Sequence, residues 1–251
     1  MITLGIELST QQGSVALLKD GELLAEKTWV GERVRHGVLF QNLEALLKEV
    51  HISYNDISLY AVGRGPGSFS GMRMAFAAAQ ALALPDKTEV RAVSSGAALA
   101  LQVAQALPPA EEWQTRASAP RENGQTAVFT PQNIAVVGDA RRGQVWIGFF
   151  NVDATPSSRS ERKEKNATRA SRLQFSKWKL VPYKEVSIPE GTVVVSPDAD
   201  RLREYLPQLK EARFPHAQEV AEMALKQAEP EPLEPLYMHP PVFVQPKYLE
   251  N

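Results

Sequence analysis

The order of apolar and polar positions changes period several times along the chain. Ile2 to Leu8 and Gly13 to Lys19 are short apolar runs separated by a turn at Ser9 to Gln12. Asp20-Gly21 is a hairpin signal, and Glu22 to Val30 follows as a third strand. The period then lengthens. Val38, Leu39, Leu43, Leu46, Leu47 and Val50 recur at steps of three and four, which predicts an amphipathic helix over 35–50. Ser58 to Gly63 reads as a strand, Gly63 to Gly71 as a glycine-rich loop and Met72 to Leu84 as an alanine-rich helix. Glu89 to Val93 is another strand, and Ser94 caps a helix running to Leu107. The first 107 residues therefore read βββαβαβα, a mixed sheet with helices packed on it. That order occurs in each half of the superfamily of actin, hexokinase and the heat-shock chaperone ATPases, and fold order alone says nothing about chemistry.

Beyond residue 107 the pattern is looser. Pro108 to Gln132 is polar and broken by prolines and reads as a long loop. Asn133 to Asp139 and Gln144 to Val152 read as a strand pair turned at Arg141 to Gly143. The stretch 154–172 is the most polar, with a basic run from Arg159 to Arg172, while strand character resumes over Gln174 to Val186 and Thr192 to Ser196. Asp198 to Leu206 and His216 to Ala228 read as helices, and residues 230–251 form an extended, proline-dense tail. The division expected is a first lobe over 1–107, completed by the helix at 216–229, and a degenerate second lobe over 108–215 with insertions near 108–132 and 154–172.

With 251 residues, 43% of them hydrophobic, the chain can bury a sizeable core. Its formal net charge of −1 favours a protein partner over unaided RNA binding, because phosphate neutralisation supplies most nucleic-acid affinity. The absence of cysteine removes disulfides, thiolate catalysis and thiolate metal sites. No run approaches the roughly 20 apolar residues of a membrane span, and MITLGIELST lacks the marks of a signal peptide. The expected location is the cytoplasm, with no membrane partner. The four histidines are His36, His51, His216 and His239, and no two can chelate from one helix face. No metal site and no Ser-His-Asp or Cys-His set is expected.

The most informative string is Gly63, Arg64, Gly65, Pro66, Gly67, Ser68, Phe69, Ser70, Gly71, Met72 and Arg73. It follows a strand and opens a helix. Its backbone N–H groups could face outward to an anion or a partner's carbonyls; equally, it could be a tight strand-to-helix turn without a ligand. It matches neither the P-loop nor the dinucleotide fingerprint. The string resembles the signature loop GRGPGSFTGVR of the TsaB (YeaZ) family. Ile6-Glu7-Leu8-Ser9-Thr10 resembles that family's I-D-T-S-T, Ala92-Val93-Ser94-Ser95 its G-V-S-T, and Asp139 through Trp146 its D-A-R-x-G-E-V-Y.

The resemblance implies an α/β, actin-like (ASKHA, ribonuclease H-like) two-lobed fold with mixed five-stranded sheets flanked by helices. It implies a non-catalytic subunit that pairs with a TsaD-like transferase and a TsaE-like ATPase, with tRNA reached through the complex. The product there is threonylcarbamoylated adenosine 37. A homodimer when alone, and ATP or ADP at the subunit interface, are further expectations, with no cofactor intrinsic to the chain. The dimer surface is expected on the first two helices, at Val38, Leu39, Asn42, Leu43, Leu46, Met72, Arg73, Phe76, Ala79, Gln80 and Ala83. Glu7, Ser9 and Thr10 form a vestigial nucleotide turn: a displaced carboxylate spoils the octahedral placement Mg²⁺ demands, and a simple strand-end turn is the alternative. Asp139 is the remaining candidate carboxylate, again against a plain turn residue. The basic run could touch tRNA phosphates or be a solvated loop. A weak ATPase or sugar-kinase-like phosphotransferase of the same fold is the competing function; a peptidase has no residues behind it.

Overall fold

The computed structural model describes residues 1–30, 37–107, 133–152 and 173–240. The insertions at 108–132 and 154–172, His36, and the tail beyond 240 lie outside the described residues. Strands β1 (Ile2–Glu7), β2 (Gln12–Lys19) and β3 (Glu22–Val30) form the antiparallel meander read from the sequence. The hairpin at Asp20-Gly21 turns through positive φ at both residues, as the favoured two-residue turn requires. Helix α1 (Val38–Glu49) leads to β4 (Ile57–Gly63), α2 (Phe69–Ala83), β5 (Glu89–Val93) and α3 (Ser95–Ala106). The first sheet runs β3-β2-β1-β4-β5, with β1, β4 and β5 parallel.

The second sheet repeats this plan in reduced form. Strands β6 (Asn133–Arg141) and β7 (Gln144–Val152) are antiparallel, and β10 (Val193–Val195) adds parallel to β6. The third-strand position is split between β8 (Leu173–Phe175) and β9 (Lys179–Pro182), which pair with different halves of β7. The continuous strand expected over 174–186 is thus interrupted, and Tyr183–Glu185 is a single 3₁₀ turn. The helix expected over 198–206 shrinks to α4 (Ala199–Leu202), because Leu206 and Leu209 reach the core from irregular backbone instead.

The last helix, α5 (Ala217–Lys226), leaves the second sheet and packs on β1, β2 and β4 of the first. Layers follow from alternation along the strands. Leu4, Ile6, Val15 and Leu17 face α1 and α2. The opposite face, with Ala16, Leu18, Leu59 and Ala61, receives α3 and α5. Helix α3 is buried on nearly every side because it also covers Ile134, Val136 and Phe150 of the second sheet. Its composition, almost entirely Ala, Leu, Val, Ser and Gly, suits a helix pressed between two sheets. The result is the actin-like two-lobed α/β plan.

Candidate functional site

The signature loop is built against the β1–β2 turn. A Cβ on Gly67 would lie 2.1 Å from the Ser9 carbonyl oxygen, and one on Gly71 would lie 1.9 Å from that of Leu8. These glycines exist because two backbone segments touch, as close approach demands. The loop's amides are largely turned inward. Arg64 N donates to Val93 O (2.8 Å), Gly65 N to Ser95 Oγ (2.9 Å) and Ser68 N to Ser9 O (2.6 Å). Ser68 caps α2 by accepting from Gly71 N at 3.3 Å, so α2 begins at Phe69, three residues before the apolar pattern suggested. An outward anion cradle is therefore not what this loop provides.

Arg64 is buried, and its guanidinium is held by the segment after α5. Its Nε donates to Glu234 O (3.0 Å) and Nη1 to Glu231 Oε2 (3.2 Å). Ser94 N donates to the other Glu231 oxygen, and Leu236 N to Arg64 O. Tyr237 then packs on Phe69 at 5.0 Å between ring centroids, and Arg73 lies over the same Phe69 ring at 5.2 Å. His239 Nε2 donates to Ala140 O (2.7 Å), tying this strap to the second lobe. Glu231, Glu234 and Tyr237 escaped the sequence reading, since a proline-dense tail carries no periodicity. The only signal was an arginine inside an otherwise small-residue loop, which had to find a carboxylate.

Glu7 is fully buried where β1 ends. Its Oε1 accepts from Ser9 N at 2.5 Å, while Oε2 lies under Gly63 without a hydrogen-bond partner. Burial pushes its carboxyl above the usual range, against the pull of the nearby Ser9 and Ser95 hydroxyls. Thr10 Oγ1 donates to Gln12 O, closing the turn on itself. A carboxylate folded into its own turn amide is not presented to a metal or a phosphate. Behind it, at the start of α5, His216 Nδ1 donates to Glu26 Oε2 (3.0 Å), and Gln218 N donates to Glu26 Oε1 (3.2 Å). Glu26 thereby caps the helix with negative charge, which its N-terminus favours. This contact raises the His216 pKa. Glu219, in the first turn of α5, is buried with Oε2 unpartnered, and burial pushes it up to about 7.

Asp139 lies near the end of β6, and its side chain is only 5% exposed. Its Oδ2 accepts from Arg141 Nη1 (2.9 Å) and Arg201 Nη1 (3.2 Å), and its Oδ1 from Tyr183 Oη (2.8 Å). It is thus consumed in structural contacts rather than left free for catalysis. Among the described residues no group of His, Asp and Glu could hold a metal ion.

The expected interface residues divide sharply. Leu39, Leu43, Leu46, Met72, Phe76, Ala79 and Ala83 are buried in this chain's own core, so they do not form an exposed surface. The physical reason is that the apolar stripe of each helix is first used by its own sheet. Val38 and Asn42 are half-buried, and Arg73 and Gln80 are exposed. The outward face of α2 carries Met74, Ala77, Ala81 and Leu84 at helical spacing, with Phe40 and Ala45 exposed on α1. Met74 is 50% and Leu84 76% exposed, unusually open for such side chains.

Comparison with known proteins points one way. Residues 36–155 match the family model for TsaD, tRNA N6-adenosine threonylcarbamoyltransferase. The chain is 31% identical over 153 residues to the tRNA threonylcarbamoyladenosine biosynthesis protein TsaB of Escherichia coli, covering 61% of this chain and 56% of that one. It is 27% identical over 150 residues to TsaB of Bacillus subtilis, covering 60% of this chain and 55% of that protein. The match thus spans about half the length of these relatives. The structure of YeaZ from Pseudomonas aeruginosa superposes with a TM-score of 0.67 at 22% identity, covering 94% of this chain and 99% of that one.

Proposed function

We propose that the chain is a member of the TsaB (YeaZ) family and serves tRNA threonylcarbamoyladenosine biosynthesis as a non-catalytic subunit paired with a TsaD-like transferase. The observation that carries this reading is the second apolar face of α2. Ala75, Ala78, Ala79 and Ala83 point into the chain's own core, yet Met74, Ala77, Ala81 and Leu84 point outward with no partner. Alanines at Ala77 and Ala81 allow another helix to approach closely, and Met74 adds adaptable apolar area. Arg73 and Gln80 flank that stripe and supply polar edges. A helix pair from a TsaD-like subunit of the same fold suits such a surface, and a second copy of this chain would occupy it when the partner is absent.

The buried Glu7 argues against the competing ATPase or phosphotransferase. A carboxylate tied to Ser9 N and covered by Gly63 leaves the turn without an outward acid. Under this reading any ATP or ADP in the assembly sits between subunits or on the TsaE-like ATPase, and tRNA is presented to the TsaD-like active site.

Reconstitution tests the proposal. The full chain is mixed with a TsaD-like subunit, a TsaE-like ATPase, threonylcarbamoyl-adenylate and unmodified tRNA, and the nucleoside is detected by mass spectrometry. Modification that depends on this chain is the expected result. Full modification in its absence would overturn the role.

A further inference from the structure

We propose that the β6–β7 hairpin tip, with Arg141, Arg142 and Arg201, is a phosphate-binding site that contacts the backbone of RNA. The turn closed by the Arg141–Gln144 pair has Arg142 and Gly143 at its centre, both with positive φ (53° and 73°). Arg141 itself lies at φ 67°. Such positions favour Asn, Asp and Gly, and a bulky side chain there carries strain of order 1–2 kcal/mol. Two arginines stand in these positions.

The arginines are also organised. One oxygen of the nearly buried Asp139, Oδ2, accepts from both Arg141 and Arg201. Its other oxygen is occupied by the Arg141 amide (2.8 Å) and the Tyr183 hydroxyl (2.8 Å). A single negative charge therefore orients two guanidiniums, and each remains about half exposed. Arg142 adds a third positive charge at an exposed tip, where Gly143 meets nothing within 4 Å. Of the aspartates at the start of α4, Asp198 accepts from the Asp139 amide at 3.0 Å, while Asp200 pairs with Arg203. Planar guanidinium forks with free N–H edges suit phosphate oxygens.

Two further features select RNA over a free nucleotide. Tyr183 packs against Tyr205 at 4.6 Å between ring centroids with the rings tilted by 33°, and Tyr205 is 41% exposed, so an aromatic edge flanks the arginines. Arginines beside an exposed ring are the common equipment for nucleic-acid strands. The cluster also sits with α4 on the face of the second sheet that turns away from α3, and so away from the Glu7 turn, which lies against Ser95 at the start of α3.

The site stands on its own geometry, and its assignment to RNA rests on the proposed role in tRNA modification. The test measures anisotropy of labelled unmodified tRNA with the full chain, alone and with the TsaD-like subunit, between 50 and 200 mM salt. The double variant Arg142→Gln/Arg201→Gln should lower affinity about tenfold at low salt and reduce the slope of log affinity against log salt by about 2, one per lost phosphate contact. Arg142→Gln alone, at an exposed tip, should fold normally and give about half that slope change. Lys19→Gln, an exposed cation of the first lobe, should change neither. Unchanged affinity and slope in the double variant, or an equal loss with Lys19→Gln, would overturn the site. Displacement of the tRNA by inorganic phosphate or ATP at micromolar concentration would overturn the RNA assignment in favour of a free phosphate ligand, and stronger competition by polyglutamate would do so in favour of an acidic protein. Arginine-dependent tRNA binding would uphold this inference even if reconstituted modification proved independent of the chain, which would remove only the proposed scaffold role.

Discussion

Replacing Glu219 by Gln should stabilise this protein at alkaline pH and leave it almost unchanged in acid. Glu219 lies in the first turn of α5 with 6% exposure, and its Oε2 has no hydrogen-bond partner. Burial is the main cause of its pKa of about 7 against an ordinary 4.5, with His216 pulling it down and Glu26 and Glu222 pushing it up. A folded-state pKa above the unfolded one means that the folded chain binds the proton more tightly. The stability this contributes is complete below pH 4.5 and is lost as pH rises through 7. A difference of 2.5 units at 1.36 kcal/mol each is about 3 kcal/mol. Glutamine imitates the protonated acid at every pH. At pH 4.5 the variant and the parent should agree within about 0.5 kcal/mol, whereas at pH 8 the variant should be about 3 kcal/mol more stable, or roughly 6–12 °C in melting temperature for a chain of this size. Burial and Glu26 displace Glu7 and His216 in the same direction, so both proteins lose stability as pH rises and only the gap between them reports Glu219. Thermal melts across pH 4.5–8 measure that gap. A gap that does not widen with pH, or a variant less stable than the parent at pH 8, would refute the burial argument.

Ala77→Glu and Ala79→Glu should part company, although they lie two residues apart on α2. Ala79 is fully buried, so a carboxylate there should cost about 4 kcal/mol or abolish folding. Ala77→Glu should shift stability by less than about 0.5 kcal/mol yet reduce co-purification with a TsaD-like subunit, and wild-type yield with a folded Ala77→Glu chain would exclude this face as the interface. Gly67→Ala should lower stability by about 2 kcal/mol in denaturant titration, because its Cβ meets the Ser9 carbonyl rather than a movable side chain; an unaltered midpoint would mean the loop and turn are not held together. Glu231→Ala should cost about 1–2 kcal/mol by stranding the buried Arg64 guanidinium, discounted because Glu231 is about one-third exposed. Restoring that loss by additionally replacing Arg64 with Met would support the account, and a neutral Glu231→Ala would contradict it.

Much of the first lobe could be read from the chain. Its first strands are short apolar runs, α1 carries a clear apolar stripe and its turns use Asp-Gly and capping serines, so local preference and final structure agree. The second lobe was less legible: β8, β9 and α4 are only three or four residues long, and segments that short are stabilised by neighbours rather than by their own pattern. The signature string identified a family and a turn, but its amides and its arginine could be assigned only when β5, α3 and the strap near Glu231 were in place.

The sequence by itself determined the βββαβαβα order, the absence of thiol chemistry and the positions where glycine was needed, because these depend on composition, periodicity and single-residue sterics. It could not determine which side of α2 faces outward, since alanine and methionine occur around the whole helix; only packing against the sheet left Met74, Ala77, Ala81 and Leu84 open. Nor could it bring Glu7 beneath Gly63, Arg64 to Glu231, or Arg141 and Arg201 to one Asp139 oxygen. Those pairs are separated by 56, 167 and 60 positions along the chain. Contacts at such separations leave no local pattern to read, and the energy that holds them arises only once the sheets and helices have closed around them.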